Sequence, residues 1–449
     1  MGSLSPETRE GTSQRHDAPA PSHSPRRGPG IAGRNRKGRP TMKLMNSPVI
    51  FFTLATSLLA VPQDRLPTLW DATVIVGGLT IPFRLEITHA GAAVSGAFFN
   101  GDERVRSTAG SFENGRLTLE FAHYATTLQA KWDGTALTGA YHRNGGSTRP
   151  PYPFQATPYQ RTAASADGEI PDIAGLWELT VNSPKGESAW KFNVRQSGPE
   201  VAAIILRIDG DTGTLAGSYR DGRFVLSHFS GARPNLVEVT ANAGGTLTVV
   251  QNAKSAYRAV RSAAARAQGL PEPADPTRWT SVADASQPLR FTAPDLSGRP
   301  ISESDPLFQG KVVLLNITGS WCPNCHDEAP FLADLYRKYR HRGLEIIALS
   351  FEEAEQLQQP DRLKAFVRTY GIEYTVLLGG TPDDVKAKLP QAVNLNTWPA
   401  TFFIGRDGLV RGAHAGFASR AAGPEHERVK ADFVAKVEKL LVETVREAR

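Results

Sequence analysis

Short stretches in which apolar and polar residues alternate fill the chain from about Leu69 to Gln251. Two examples are Phe83-Arg84-Leu85-Glu86-Ile87 and Arg116-Leu117-Thr118-Leu119-Glu120-Phe121, and Gly, Asn and Asp separate such stretches from one another. A period of two places alternate side chains on opposite faces of a strand, while Asn-Gly and Asp-Gly tolerate the positive φ that tight hairpin turns require. The pattern predicts an antiparallel all-β region.

This β-rich region repeats itself along the sequence. Leu69-Trp70 recurs 107 residues later as Leu176-Trp177, and residues 110–119 match residues 217–226 at the same offset. The match predicts a duplication with copies at 66–160 and 168–252. Two copies can form two small lobes or two halves of one barrel or sandwich, and both arrangements stay open. Four tryptophans of the copies are expected in the core rather than in a ligand cavity, namely Trp70, Trp132, Trp177 and Trp190.

The pattern changes twice after the copies. Residues 253–267 are rich in Ala and favour a helix, and the Pro-rich stretch that follows cannot continue it, so residues 253–287 are predicted as a helix and a linker. From residue 288 to 449, strands alternate with helices, which indicates an α/β sheet. The predicted strands and helices of this part are Lys311–Ile317, Leu344–Ser350, Thr375–Leu378, Thr401–Ile404, Asp361–Tyr370 and the segment from Glu427 onward. The fold class is therefore a duplicated antiparallel all-β region followed by an α/β domain.

The N-terminal residues differ from the rest in composition. Residues 1–41 are rich in Pro, Gly, Ser and Arg and are predicted to be a disordered basic tail, unless translation begins at Met42 or Met45. Residues 42–61 combine a basic start, a short apolar run and a small residue, which indicates a signal peptide or an N-terminal membrane anchor.

The charge of the chain excludes one class of partner. The net charge is +6, but residues 1–47 hold nine Lys or Arg against three Asp or Glu, so the remainder is formally neutral. A neutral body lacks the basic surface that phosphate backbones require, and we therefore expect no nucleic-acid binding.

Candidate chemistry is concentrated at the two cysteines of the chain. Cys322 and Cys325 lie three positions apart, which is too close for a loop-closing structural disulfide. Cys322 follows a predicted strand and begins a predicted helix, whose unpaired N–H groups and dipole stabilise a thiolate. Cys325, one turn later, is placed to resolve a mixed disulfide, and Pro323 suits the first helical turn. The spacing predicts a redox-active Cys322–Cys325 pair.

The residues around this pair resemble a known family. Trp-Cys-Pro-Asn-Cys-His-Asp-Glu-Ala-Pro at 321–330, followed by Trp-Pro-Ala-Thr-Phe-Phe-Ile-Gly at 398–405, is similar to the TlpA/ResA-like branch of the thioredoxin superfamily over about residues 288–445. The resemblance implies a thioredoxin fold, a cis-proline at Pro399 facing the dithiol, a functional acidic residue at Glu328 and a helix kink at Pro330. We expect Trp321, Pro323, Trp398 and Pro399, which lie in these two motifs, to contact the substrate. Ile317-Thr318 and Trp398 depart from the family pattern, so partner recognition does not carry over.

The resemblance implies an extracytoplasmic thiol–disulfide oxidoreductase that acts on disulfide-bearing client proteins, such as apocytochromes, and takes electrons from a membrane thiol donor. Reduction is favoured over oxidation, although sequence does not fix the direction. No cofactor or metal is expected. We expect the dithiol site to be self-contained in the C-terminal domain, with the β-rich region as a binding or spacing module.

Two alternatives remain from the residues themselves. The protein can be a ligand- or protein-binding β-rich module with an accessory redox-sensing domain. Cys322-Pro323-Asn324-Cys325-His326 also spells the covalent haem-attachment motif, although the preceding buried strand and the later Trp-Pro favour a thioredoxin site. A zinc site requires further ligands that only scattered histidines offer.

Overall fold

The structure of the protein is a computed structural model that describes residues 66–90, 93–143, 150–160 and 169–443. The predicted tail at 1–41 and the predicted signal or anchor segment at 42–61 lie outside these residues. Among the described residues, no helix is both long enough and apolar enough to cross a membrane.

The first β body is an antiparallel meander of nine described strands. They are β1 (Leu69–Val76), β2 (Leu79–Ala90), β3 (Ala93–Asn100), β4 (Glu103–Arg106), β5 (Ala109–Glu113), β6 (Arg116–Phe121), β7 (Thr126–Trp132), β8 (Leu137–Arg143) and β9 (Tyr152–Pro158). Hydrogen bonds join them in the order β4-β3-β2-β1-β9-β8-β7-β6-β5. The sheet is curved, so that its two ends approach each other. The N–H of Ser107, just before β5, donates to the carbonyl of Gly96 in β3 at 2.8 Å. A short 3-10 helix, Ala122–Tyr124, lies between β6 and β7.

The second β body is a closed antiparallel ring with one added short strand, again counted over the described residues. Its strands are β10 (Gly175–Thr180), β11 (Ala189–Ser197), β12 (Glu200–Arg207), β13 (Gly210–Asp211), β14 (Leu215–Arg220), β15 (Arg223–His228), β16 (Asn235–Asn242), β17 (Thr246–Gln251) and β18 (Ser255–Arg261). Their order is β11-β10-β18-β17-β16-β15-β14-β12-β13, and a further pairing of β11 with β12 closes the ring. The β-rich region therefore forms two separate sheets, while the duplication itself stays a prediction.

The tryptophans of the β bodies are core residues, as expected. Trp70, Trp177 and Trp190 are buried. Trp132 is partly buried and packs edge-on against Trp70, with ring centroids 5.2 Å apart. Burying a large apolar side chain contributes about 1.5–3 kcal/mol, so these rings stabilise the sheets that hold them.

Residues 253–261 differ from the sequence prediction. The predicted helix over 253–267 is wrong for its first part, because β18 occupies Ser255–Arg261 and only Ser262–Ala267 is helical (α1). The predicted end of the second copy at residue 252 is therefore too early. β18 pairs with β10 on one side and β17 on the other. Its ladder hydrogen bonds close the ring, and this tertiary pairing overrides the helix propensity of an Ala-rich segment.

The C-terminal domain has a thioredoxin fold. Its described elements are α2 (Pro276–Trp279), β19 (Ser281–Val282), β20 (Thr292–Pro294), β21 (Pro300–Ser302), β22 (Val312–Thr318), α3 (Pro323–Tyr339), β23 (Leu344–Phe351), α4 (Ala354–Gln358), α5 (Asp361–Tyr370), β24 (Thr375–Gly380), α6 (Val385–Lys388), β25 (Ala392–Val393), β26 (Ala400–Ile404), β27 (Val410–Ala415) and α7 (Pro424–Val442). The central sheet has the order β24-β23-β22-β26-β27, with β22 parallel to β23 and antiparallel to β26. The predicted strands and helices from residue 311 onward are confirmed.

The central strand β22 is buried on both faces, which positions the site at its C-terminal end. Val312 and Leu314 belong to a core with residues of α3, α5 and α7, whereas Leu315 and Ile317 belong to a second core on the opposite face. A continuous apolar run is what such a strand requires. The chain leaves β22 at Thr318 and enters α3 five residues later, and this turn carries the two cysteines.

Candidate active site

Cys322 begins the helix that follows the central strand. It occupies the N-cap of α3, and its carbonyl accepts hydrogen bonds from the N–H groups of Cys325 at 3.1 Å and His326 at 3.2 Å. Pro323 occupies the first turn, where its missing N–H leaves no hydrogen bond unmade. Both cysteines are free thiols with exposed fractions of 0% for Cys322 and 1% for Cys325.

The structure brings the remaining predicted substrate contacts to the same place. The Trp398–Pro399 peptide bond is cis, as the resemblance implies, and the thiol of Cys322 donates to the Trp398 carbonyl at 3.4 Å. The ring of Trp321 lies 5.9 Å from that of Trp398, and its Nε1–H donates to the carbonyl of Phe351. Trp321, Cys322, Trp398 and Pro399 therefore form one cluster at the end of the sheet.

The two thiols are buried alike but differ in acidity. Burial opposes ionisation of Cys322, yet a hydrogen bond from Cys325 and the charge of Arg233 outweigh it, so the pKa of Cys322 lies below its ordinary value. Burial, the hydrogen bond to Cys322 and its charge hold the pKa of Cys325 well above the ordinary range, although the hydroxyl of Thr318 also hydrogen-bonds that thiol. Thr318 stands where the family pattern has an aromatic residue. The site thus favours a thiolate at Cys322 and a thiol at Cys325.

Glu328 lies under the dithiol in α3 and has 1% of its surface exposed. The amide of Asn316 donates to one carboxyl oxygen at 2.8 Å, and the hydroxyl of Thr401 donates to the other at 3.3 Å. Burial raises the pKa of Glu328 to about 8, even though these two hydrogen bonds act in the opposite direction. A carboxyl group with this pKa holds a proton at neutral pH and can exchange it.

Both ring nitrogens of His326 have hydrogen-bond partners within the protein, and this is relevant to the haem alternative. Its Nε2 lies 2.8 Å from the carbonyl of Ser320 and its Nδ1 lies 2.9 Å from the hydroxyl of Tyr370. A haem-ligating histidine needs one free ring nitrogen beside its cysteines. The geometry around His326 therefore does not fit a haem-attachment site.

A buried ionic network fixes the turn before Cys322, and sequence reasoning missed it. Glu352 accepts hydrogen bonds from the N–H of Ser320 at 2.7 Å and from its hydroxyl at 2.6 Å. The guanidinium of Arg362 bonds both Glu352 at 2.9 Å and the Ser320 hydroxyl at 2.8 Å. Charges buried in this way persist only when they are paired. The turn is thereby tied to β23 and α5.

The site is not self-contained in the C-terminal domain, which corrects the sequence expectation. The turn between β12 and β13, residues 208–211, lies against the start of α3, where the amide of Asn324 donates to the carbonyl of Asp209 at 2.5 Å. Gly210 forms a parallel bridge with Phe417, and the carboxylate of Asp211 accepts two hydrogen bonds from Ser419. The second β body therefore covers the dithiol turn.

The first β body also reaches α3. The rings of His123 and Tyr124, from the 3-10 helix after β6, lie 5.7 Å and 4.2 Å from the ring of His326. Burial lowers the pKa of His123 to about 4, so its ring packs as a neutral group. The sequence carries no local signal for these contacts, because each joins residues about 200 positions apart.

A cavity of about 300 Å³ lies beside the dithiol turn. Residues of all three parts of the chain line it, among them Glu103, Tyr124, Asp211, Arg233 and Asp327. Among the described residues, no group of three or more His, Cys, Asp or Glu side chains is arranged to hold a metal ion.

Comparisons with known proteins concern the C-terminal part. A model of the AhpC/TSA family matches residues 285–413. The thiol-disulfide oxidoreductase ResA of Bacillus thuringiensis (strain Al Hakam) is 35% identical over 120 residues, which make up 27% of this chain and 62% of that relative. ResA of Geobacillus kaustophilus is 30% identical over 135 residues, or 30% of this chain and 71% of the relative. A solved thiol:disulfide interchange protein from Chlorobium tepidum is 27% identical over 35% of this chain and 99% of its own, with a TM-score of 0.28.

Proposed function

The chain belongs, through its C-terminal part, to the ResA-like thiol–disulfide oxidoreductases of the thioredoxin superfamily, and from this membership we propose that it reduces disulfide bonds of client proteins outside the cytoplasm. The chain spans 62% of the length of the Bacillus relative, so the activity, clients and partners of the whole protein are proposals.

The observation that carries the proposal is the opposite acidity of two adjacent buried thiols. Cys322 has a lowered pKa at a helix N-cap, and Cys325 has a strongly raised one. An attacking sulfur must be a thiolate, whereas a resolving sulfur can stay protonated until it attacks the mixed disulfide. This asymmetry supports Cys322 as the nucleophile and Cys325 as the resolving residue.

The chemistry balances as two exchanges. The Cys322 thiolate attacks one client sulfur, a bond forms between them, the client S–S bond breaks, and the departing client thiolate takes a proton. Cys325 then gives its proton to Glu328, which must first be ionised, and its thiolate attacks the Cys322 sulfur. The S–S bond between Cys322 and the client breaks, and the second client thiolate takes a proton from solvent. The client leaves as a dithiol with two electrons gained, and the Cys322–Cys325 disulfide remains. We assign the role of proton acceptor to Glu328 because its pKa of about 8 leaves both forms accessible near neutral pH.

The disulfide so formed requires a thiol reductant for the next cycle. We propose a membrane thiol donor for that step, and exported proteins such as apocytochromes as clients. The apolar segment at residues 42–61 supports export or anchoring outside the cytoplasm. Trp321, Pro323, Trp398 and the cis Pro399 are proposed to contact the client, since they surround the sulfur of Cys322.

Reduction of insulin by dithiothreitol tests the proposal. The chain expressed from residue 61 onward is expected to accelerate precipitation of the insulin B chain, because Cys322 passes electrons from the small thiol to the protein disulfide. A Cys322→Ser, Cys325→Ser double variant is the matched control and should fall to the uncatalysed rate. Equal rates for the two proteins would refute the oxidoreductase function.

The full burial of Cys322 favours a second candidate function. A thiol with 0% exposure is closed to protein disulfides, which suits the alternative in which the β bodies carry the binding function and the thioredoxin domain is an accessory. A Cys322→Ala variant discriminates the two, since a binding module keeps its cellular function without the thiol and an oxidoreductase does not.

A further inference from the structure

We propose that Arg233 of the second β body is a catalytic residue of the dithiol site, where its guanidinium stabilises the Cys322 thiolate. This inference rests on the proposed function and deepens it, because it adds a group from outside the thioredoxin domain to the reacting sulfur. One guanidinium nitrogen of Arg233 lies 4.0 Å from the Cys322 sulfur.

The segment that carries Arg233 is held in the core of the first β body. It is the loop of residues 229–234 between β15 and β16, and we call it the bridging loop. Phe229 begins the loop with no exposed surface, and its ring lies 4.5 Å from that of Phe83. Asn100 accepts a hydrogen bond from the Phe229 N–H at 3.0 Å and donates its amide to the Phe229 carbonyl at 3.1 Å. The start of the bridging loop is thus fixed by another body.

The rest of the bridging loop is also restricted. Gly231 has a φ of +88°, and a Cβ there would lie 2.5 Å from the hydroxyl of Tyr141. That hydroxyl donates to the Gly231 carbonyl at 2.9 Å. Pro234 restricts Arg233 to an extended backbone. The backbone on both sides of Arg233 is therefore restricted, and the guanidinium lies near the Cys322 sulfur in the absence of a client.

The charge of Arg233 acts on Asp209 and Asp327 as well as on Cys322, but it forms an ion pair with neither of these two carboxyl groups. Asp209 already has two cationic partners, Lys185 at 2.7 Å and Arg207 at 3.7 Å. Among the described residues, Arg233 has no carboxylate within ion-pair distance, and its hydrogen-bond partner is Cys322. A guanidinium that is partly removed from water and lacks a carboxylate partner interacts more strongly with the charge that it does face.

Several other titratable groups surround Cys322, and the charge of Arg233 acts on two of them, Asp209 and Asp327. The groups whose charge interacts with Cys322 are Asp209, Asp327, Glu328, Tyr124 and Cys325. Asp209 disfavours the thiolate, whereas the hydrogen bond from Cys325 and the charge of Arg233 favour it. Arg233 is the cation among these groups, so its removal leaves the thiolate facing the Asp209 carboxylate without a nearby positive charge.

The guanidinium acts at two points of the cycle. It increases the fraction of Cys322 present as thiolate before attack on the client disulfide. After the reductant has formed a mixed disulfide with Cys322, a second thiolate of the reductant attacks its own bound sulfur. The S–S bond to Cys322 then breaks, and Cys322 leaves as a thiolate carrying the electron pair beside Arg233. In both steps the charge appears on the sulfur that faces the guanidinium.

The ultraviolet absorbance of the thiolate tests the proposal without requiring reagent access to a buried sulfur. The titration uses the chain from residue 61 onward with Cys325→Ser, so that one thiol remains, and the Cys322→Ser, Cys325→Ser protein as the blank. Arg233→Gln is compared with Arg233→Lys and with Arg223→Gln. Arg223 is an exposed arginine of the same β body that pairs with Glu238, which makes it a matched control.

We expect Arg233→Gln to raise the midpoint of thiolate formation by about one pH unit, since an opposite charge at this distance shifts a pKa by about 1–3 units and Arg233 is partly solvated. Below the midpoint this is about tenfold less thiolate. Arg233→Lys should retain most of the effect, and Arg223→Gln should leave the midpoint unchanged. With Cys325 present, insulin reduction by Arg233→Gln should be slow at low pH and recover at higher pH.

A midpoint in Arg233→Gln equal to that in Arg223→Gln overturns the proposal, as does an Arg233→Lys midpoint equal to that of Arg233→Gln. The Lys variant keeps the test decisive if Gln disturbs folding. Failure of the oxidoreductase function is a different result, because the unsubstituted chain would then not reduce insulin at all. An active unsubstituted chain with an unshifted Arg233→Gln titration overturns the role of Arg233 alone.

Discussion

At the scale of single residues, the site depends on a difference between neighbours that share the same burial. Cys322 and Cys325 are both inaccessible, yet their pKa values move in opposite directions. Desolvation disfavours both thiolates, so the difference comes from what each sulfur faces. Cys322 faces a donor thiol and a guanidinium, whereas Cys325 faces the charge of Cys322 and the carboxyl of Glu328.

The raised pKa of Glu328 predicts a stability that falls as pH rises. The folded protein holds this proton up to about pH 8, whereas an unfolded chain releases it near pH 4.5. The free energy of unfolding therefore decreases as pH rises between these values. Glu328→Gln keeps the hydrogen-bonding shape and has no proton to lose. Its melting temperature should therefore decline less than that of the unsubstituted chain from pH 5 to pH 8, as measured by calorimetry.

Glu427→Gln is the matched control for this experiment, because Glu427 is an exposed carboxylate on α7 paired with Lys430. Its melting curve should follow that of the unsubstituted chain with pH. Parallel curves for Glu328→Gln and the unsubstituted chain would show that Glu328 is ionised throughout and would remove the proton acceptor from the proposed mechanism.

At the scale of elements, the turn at residues 208–211 packs against the start of α3, and we expect it to limit access to the dithiol. A Cβ at Gly210 would lie 2.4 Å from the carbonyl oxygen of Phe417 and 2.5 Å from the amide nitrogen of Asn324. Glycine is therefore required for this close approach, and the approach is what seals the N-terminus of α3. The turn can cover the start of α3 only because Gly210 has no Cβ atom.

Gly210→Ala is expected to lift this cover and to increase the rate of insulin reduction several-fold. The added methyl group meets the carbonyl oxygen of Phe417, a backbone atom that cannot rotate away, so we expect the turn to move away from α3 and expose Cys322. Insulin assays under identical conditions measure the effect. The gain should be smaller for a low-molecular-weight disulfide, which needs less room than a folded client.

Gly222→Ala is the control, since Gly222 also has a positive φ, of +78°, but a Cβ there meets nothing within 4 Å. It should lower thermal stability through backbone strain and leave the insulin rate unchanged. If Gly210→Ala were no faster than Gly222→Ala, the turn would not limit access.

Element patterns in the sequence identified most of the C-terminal fold and misjudged one strand. The apolar run at 311–317 and the cysteines after it specify a buried strand and a helix start through local chemistry, and both occur as predicted. Residues 255–261 suit a helix by composition but form β18, because β10 and β17 offer unpaired edges on both sides. Local propensity cannot report on partners that the chain brings together only after folding.

At the scale of the whole molecule, corresponding loops of the two β bodies converge on one helix. The 3-10 helix after β6 packs against His326, and the bridging loop after β15 carries Arg233 to Cys322. These two segments lie about 107 residues apart, which is the offset of the predicted duplication. The β-rich region therefore takes part in the dithiol site, which sequence analysis did not predict because Arg233 and Cys322 are 89 positions apart.

Trapping in the full chain should identify the clients and the attacking sulfur together. With Cys325→Ser, Cys322 cannot be released from its mixed disulfide, so client adducts accumulate and disappear under reducing agent. With Cys322→Ser they should be absent, because the strongly raised pKa of Cys325 leaves it protonated. Adducts are measured by non-reducing electrophoresis and mass spectrometry.

Two results of the trapping experiment would contradict the proposals separately. Adducts that form mainly through Cys325 would reverse the assignment of the two sulfurs. Adducts only with cytoplasmic proteins would refute the proposed compartment while leaving the chemistry intact.

Because Cys322 has no exposed surface, the reactivity of its sulfur also reports how often the protein opens. An alkylating reagent can reach it only in open conformations, so the ratio between the reaction rate of a free thiol and that of Cys322 is a protection factor. When opening and closing are fast compared with alkylation, the logarithm of that factor gives the free energy of opening directly. The Cys322 sulfur, which is proposed to exchange disulfides, thereby also reports the equilibrium between closed and open conformations of the protein, and no added label is needed.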